Sequence, residues 1–165
     1  MLTDLEHVCV STYIVLLYSA AFCLAFYGFL RISEFTVVSR HRRDRMLRFT
    51  DVAVTGSAPH RRVSLSLRES KTDPRGNGCT ISIHEIEAGS CPVKAVLRYL
   101  KMRPGSGEAF FCSYGSLPLT RHEFSAMIKR CMSYRDMLAA KFSSHSFRIG
   151  AATTAAMAGG SGGPK

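Results

Sequence analysis

From Val8 to Leu30 the chain runs for 23 residues without a charged side chain. A stretch that long has two homes. It can cross a bilayer, which takes about 20 predominantly apolar residues, or it can be the buried centre of a helical domain. Five arginines between Arg40 and Arg48 would serve as the cytoplasmic flank of a span. Against a span, the run is diluted by Ser11, Thr12, Tyr13, Tyr18, Ser19, Tyr27 and Gly28, and the patterned sequence after it needs a core. The buried-helix reading is therefore preferred, with a single-span membrane protein bearing a basic domain as the alternative. The acidic Asp4 and Glu6 and the length of the run also argue against a secretory signal.

The helical reading covers residues 8–36, with a break near Tyr27-Gly28 and small residues Ala20, Ala21, Ala25 and Gly28 permitting close packing. The period then changes. In "RRVSLSLRES" Val63, Leu65 and Leu67 alternate with Ser64, Ser66 and Arg68, and "CTISIHEI" repeats the pattern with Cys79, Ile81 and Ile83. The intervening "SKTDPRGNG" is turn-rich, so the two segments form a hairpin, and "LRFTDVAVTG" supplies a third strand. Helices return after Ser90. Val93, Val96, Leu97 and Leu100 make one stripe, ended by Pro104-Gly105. Thr120 and Glu123 form a capping box for a helix whose stripe is Phe124, Met127, Ile128 and Cys131. Ser143 or Ser144 caps a final Ala-rich helix. The expected fold is α+β: mainly helical, with a small three-stranded antiparallel sheet, in one domain over 1–158 and a flexible tail over 159–165.

The chain has 22 Lys and Arg against 12 Asp and Glu, a formal net charge of +10. That balance favours an anionic partner, nucleic acid first and an acidic membrane surface second. The six cysteines form no C-x-x-C pair and the histidines are scattered, so no metal site is expected. Cysteines inside apolar runs read as buried, reduced thiols of an intracellular protein.

Three short motifs carry chemistry. In "GFLRISEF" Arg31 is the first charge after the apolar run, and Glu34 follows on the same face of a helix. The bland reading is a surface ion pair at a helix end. Lys71 opens the hairpin loop, where a lysine is ordinarily just solvated. In "SHSFRIG" His145 and Arg148 share a face near a helix N-terminus, a position that favours anions. Taken alone, the pair is better read as a capped helix start.

The order of these parts resembles the catalytic domain of the tyrosine recombinases, the phage-integrase family. It runs Arg-x-x-Glu on a helix, a three-stranded sheet with a hairpin lysine, helices, then His-x-x-Arg opening an Ala-rich helix. "GFLRISEFT", "SKTDP" and "SHSFRIGAATTAA" are most similar to the eukaryotic recombinases of DIRS-type and Crypton-type mobile elements, over about residues 10–158. The resemblance implies that Arg31 and Arg148 clamp the non-bridging oxygens of a scissile DNA phosphate, a task suited to planar, permanently charged guanidiniums. It implies that Lys71 donates a proton to the leaving 5′ oxygen, that His145 assists proton transfer, and that Glu34 supports the pocket. The chemistry implied is transesterification through a 3′-phosphotyrosyl intermediate, without metal, ATP or other cofactor. A nuclear location and duplex DNA as partner follow from the same resemblance.

The sequence departs from the family pattern after Arg148. The family carries a second His or Trp and then a nucleophilic Tyr. Here Tyr13, Tyr18, Tyr27, Tyr99, Tyr114 and Tyr134 all precede His145, and none matches the nucleophile. The N-terminal DNA-clamping domain has no counterpart either. The expectation is an incomplete catalytic domain, monomeric, with a non-enzymatic DNA-binding module of the same fold as the alternative. Arg40, Arg42, Arg43, Arg45, Arg48 and Arg75 are candidate contacts to the DNA backbone, with Arg61, Arg62 and Lys94 nearby. A solvated loop is the other reading of this cluster.

Overall fold

The computed structural model describes residues 2–40, 46–68, 78–138 and 142–159. Their order is helix α1 (Leu5–Val8), α2 (Thr12–Tyr27), α3 (Ile32–Phe35), strands β1 (Val52–Thr55), β2 (Arg62–Leu67) and β3 (Cys79–His84), then α4 (Pro92–Met102), α5 (Arg121–Tyr134) and α6 (Ser144–Gly159). The class is mixed α+β, with a three-stranded antiparallel sheet of order β1-β2-β3.

The long uncharged run is the centre of the domain. Leu17, Ala20, Ala21, Phe22, Leu24 and Ala25 of α2 are each no more than 2% exposed, and α1, α4 and α6 all pack on α2. A helix that is apolar on every face is one surrounded by protein. At 16 residues α2 is about 24 Å long, short of the roughly 30 Å hydrocarbon core of a bilayer. Among the described residues no helix is long and apolar enough to cross a membrane. Ser11 starts α2 by accepting the Ile14 N–H at 3.3 Å.

The helix does not continue to residue 36. Leu30 N–H donates to Ala25 O at 3.1 Å and Phe29 N–H to Phe26 O at 3.3 Å, the paired closing bonds of a Schellman turn. Such a turn puts its left-handed residue at position 29, and Phe29 takes φ +51°. The glycine sits one place earlier because of crowding. A β-carbon at Gly28 would lie 2.7 Å from Leu24 O and 3.2 Å from Ile83 Cδ1. The chain leaves this turn extended at Arg31, φ −78° and ψ 144°, and re-enters helix as α3.

The sheet follows its alternation closely. Val63, Leu65 and Leu67 of β2 are buried, and β2 is the middle strand, pairing Val63 with Val54 on one side and Ile83 on the other. The expected third strand is shorter than its pattern: Phe49–Asp51 is a 3₁₀ turn and only Val52–Thr55 is strand. Cys79, expected in the core face, is exposed at the first position of β3; Cys23, Cys91, Cys112 and Cys131 are buried. Burial pushes the Cys23 thiol up to about 12 and the Cys131 thiol up to about 11, which keeps both protonated and unreactive.

α4 and α5 present the expected stripes, extended by Tyr99 on α4 and Met132 on α5. Thr120 and Glu123 form the capping box, with Glu123 N–H donating to Thr120 Oγ1 at 3.1 Å and Thr120 N–H to Glu123 Oε2 at 2.8 Å. α6 runs through Gly159, one residue into the segment expected as tail; the rest of that segment lies outside the described residues.

A long-range ion pair closes the domain. Arg135, just past α5, forks onto Asp4, with Nε to Oδ2 at 2.6 Å and Nη2 to Oδ1 at 3.0 Å. The guanidinium holds the Asp4 carboxyl down at about 2, from an ordinary 3.8. A carboxyl whose folded pKa is depressed stabilises the fold above its unfolded value and loses that contribution as pH falls through the folded one. Asp4→Asn is thus expected to lower Tm at pH 5 to 7, and its deficit relative to the parent should close between about pH 4 and pH 2. Thermal melts of both chains across that range check it; a deficit independent of pH would assign the effect to shape and not to charge.

Candidate functional site

Arg31 is placed by the turn that ends α2. It is the N-cap of α3, so it does not share a helical face with Glu34 as the spacing suggests. The two meet because Glu34 reaches back. Its Oε2 accepts the Arg31 backbone N–H at 2.7 Å, and its Oε1 accepts from Arg31 Nη1 at 3.2 Å. One carboxylate thus fixes both ends of the arginine. The Glu34 side chain is 8% exposed and that of Arg31 25%. The turn is anchored from beyond as well: Val37 N–H donates to Leu119 O at 3.0 Å and Arg121 N–H to Val37 O at 2.9 Å, tying α3 to the start of α5.

Arg148 lies in the second turn of α6 and is half-buried. Ser143 N–H donates to Ser146 Oγ at 3.0 Å at the start of that helix. α6 packs on α2, and a β-carbon at Gly150 would sit 3.6 Å from Phe26 Cε2. The N-terminal half of α6 therefore meets the end of α2 from which the chain turns into Arg31. His145 is in the first turn of α6; its side chain, like the whole of Lys71, lies outside the described residues.

The other candidate cations divide. Arg42, Arg43, Arg45 and Arg75 lie outside the described residues. Arg40 is engaged by Glu123 at 2.9 Å and Arg48 by Glu108 at 3.3 Å. Arg61 forks onto Glu85 with bonds of 2.9 and 2.7 Å. These three arginines thus have structural work in the fold. Sequence reading also passed over Asp51, which is buried. It accepts the Arg48 N–H at 2.9 Å and takes Arg68 Nε and Nη2 at 3.1 and 2.9 Å. That pair ties the end of β2 to the turn before β1. The signal was the "FTD" turn before the strand, which pattern alone does not separate from a longer strand.

The tyrosines are committed elsewhere. Tyr13 and Tyr99 are buried and donate to the Cys112 and Phe110 carbonyls at 2.5 and 3.0 Å. Burial pushes the Tyr13 phenol up to about 12 and raises those of Tyr18 and Tyr99 as well. Tyr27 lies 2.9 Å from Ser90 Oγ, Tyr114 2.6 Å from Ser11 Oγ, and Tyr134 stacks on His7 with ring centroids 5.2 Å apart. Comparison with protein-family models, with curated proteins and with solved structures yields no match to this chain.

Proposed function

We propose that this chain is a tyrosine-recombinase-like core that binds duplex DNA and grips one backbone phosphate between Arg31 and Arg148. The observation that carries this reading is the contact between the first turns of α6 and the end of α2. Gly150, two residues past Arg148, packs near Phe26, five residues before Arg31, and this supports bringing together two segments 117 positions apart in the chain. In this reading Glu34 orients Arg31, so that the guanidinium meets a phosphate oxygen without having to be ordered at the moment of binding. The N-terminal end of α6 adds its dipole to the positive field. In the same reading Lys71 protonates the leaving 5′ oxygen and His145 assists proton transfer.

The second reading, a DNA-binding module without strand cleavage, draws on the tyrosines. Three phenols are buried with raised pKa values, and Tyr27, Tyr114 and Tyr134 are engaged with Ser90, Ser11 and His7. A phenol is a nucleophile only when its proton can leave. Incubation of the chain with a nicked suicide duplex is expected to give retained DNA on a native gel and no covalent adduct on a denaturing one. A phosphotyrosyl adduct would contradict the non-cleaving reading, and absence of any duplex binding at low salt would contradict both.

A further inference from the structure

α4 has one face in the core and one face of charge. Val93, Val96 and Tyr99 are 0% exposed. Lys94, Arg98 and Lys101 stand on the opposite side, all three exposed. Their i, i+4, i+7 spacing confines them to one narrow stripe, about 10 Å long at 1.5 Å per residue. The helix itself contains no acid. The nearby carboxylates are engaged, Glu85 by Arg61 and Glu108 by Arg48, with Glu87 exposed on the preceding loop. Arg31, Arg40, Arg48, Arg61, Arg68 and Arg135 all form ion pairs with Asp or Glu. Among the described residues the three α4 cations form none. Lys94, Arg98 and Lys101 are thus displayed together on a helix whose other face is packed in the core.

We infer that this stripe of α4 is a second contact surface for the phosphate backbone of duplex nucleic acid, an inference that rests on the duplex-binding reading above. A duplex presents one phosphate about every 1.7 Å of its axis, so a 10 Å stripe faces several at once. The three side chains hold no base-reading geometry and would contribute affinity without sequence preference. An anionic bilayer is the weaker fit. An interfacial helix buries its apolar face among the acyl chains, and the apolar face of α4 is already spent on α2 and the sheet.

The test is a salt titration of binding to a mixed-sequence duplex by fluorescence anisotropy, comparing the parent chain with K94Q/R98Q/K101Q. Glutamine keeps the helix propensity of Lys and Arg, and matched melting curves establish that the variant folds. Each phosphate contact adds about 0.9 to the slope of log Kobs against log salt, so three lost contacts lower that slope by about 2.7. A decrease of roughly 2 units or more supports the surface. If the parent binds and the slope is unchanged, the surface is overturned while the duplex-binding reading stands. If the parent binds no duplex even at low salt, both fall. If the parent binds phosphatidylserine vesicles more tightly than duplex and the variant loses that binding, the assignment to nucleic acid is overturned.

Discussion

Arg31→Ala and Arg148→Ala are each expected to weaken duplex binding roughly 10- to 100-fold at fixed salt. This is the loss of about 1.5–3 kcal/mol that follows removal of a charged hydrogen-bonding group. The two differ in what else they disturb. Arg31 is half of a paired turn, and its removal leaves the Glu34 carboxylate, 8% exposed, with the backbone N–H but without Nη1. Losing a hydrogen-bonded charge pair at a part-buried carboxylate is costly, so Arg31→Ala should also lower Tm. Arg148 sits half-buried on α6, and its removal should act on binding far more than on stability. His145→Ala should reduce binding less than either. Anisotropy with a labelled duplex, alongside melting curves, reads all three. Unchanged affinity in both arginine variants would assign these residues to packing.

The largest effect on the fold is expected at Phe124. It is fully buried and meets Phe22 and Phe35 edge-on, with centroids 5.2 and 5.0 Å apart. Removing a buried aromatic costs about 3–5 kcal/mol through lost transfer energy and the cavity left behind. In a chain of this size that lowers Tm by roughly 10 °C. Phe35 directly follows Glu34, so Phe124 is also the seat on which α3 rests. Phe124→Ala should therefore weaken duplex binding at temperatures where circular dichroism still reports a folded chain. A stable variant with intact binding would mean that α3 is held by its backbone bonds to Leu119 and Arg121 alone.

The periodic parts of this fold were legible before the structure. Val63, Leu65 and Leu67 alternate in sequence and are buried together, because a pleated strand offers only two faces. Phe124, Met127, Ile128 and Cys131 recur at helical spacing and are all in the core. The non-periodic parts were not. Phe110 and Phe111 are buried at 0 and 1% in a segment with no period at all. There the backbone is threaded by Arg103, whose Nε and Nη2 bind the Phe110 and Ala109 carbonyls at 3.0 and 2.7 Å. The break after Tyr27 was visible as Gly28, yet its form was not. Position 28 is glycine for want of space beside Leu24 and Ile83, and Phe29 carries the positive φ. The first of these depends in part on Ile83, a neighbour 55 positions away.

The site shows the same division. Arg31 and Glu34 are close in sequence and found each other, though as a capped turn and not as a helical pair. Arg40 and Glu123 are 83 positions apart, and charge counts carry no information about such partners. An arginine-rich loop thus reads as uniformly available for phosphate when Arg40 and Arg48 are engaged with carboxylates. By contrast Arg98 and Lys101, which no motif distinguished, stand on an acid-free helix. What a cation can offer a ligand depends on which carboxylates the tertiary fold has brought beside it.

The proposed shared grip of Arg31 and Arg148 on one phosphate is tested most directly by a double-mutant cycle on duplex affinity, using Arg31→Ala, Arg148→Ala and the pair together. Two groups that hold the same anion are coupled, and the double variant should lose less than the sum of the single losses, by about 0.5–3 kcal/mol. Losses that add to within about 0.5 kcal/mol would show the two arginines acting on separate parts of the duplex, and would contradict the clamp.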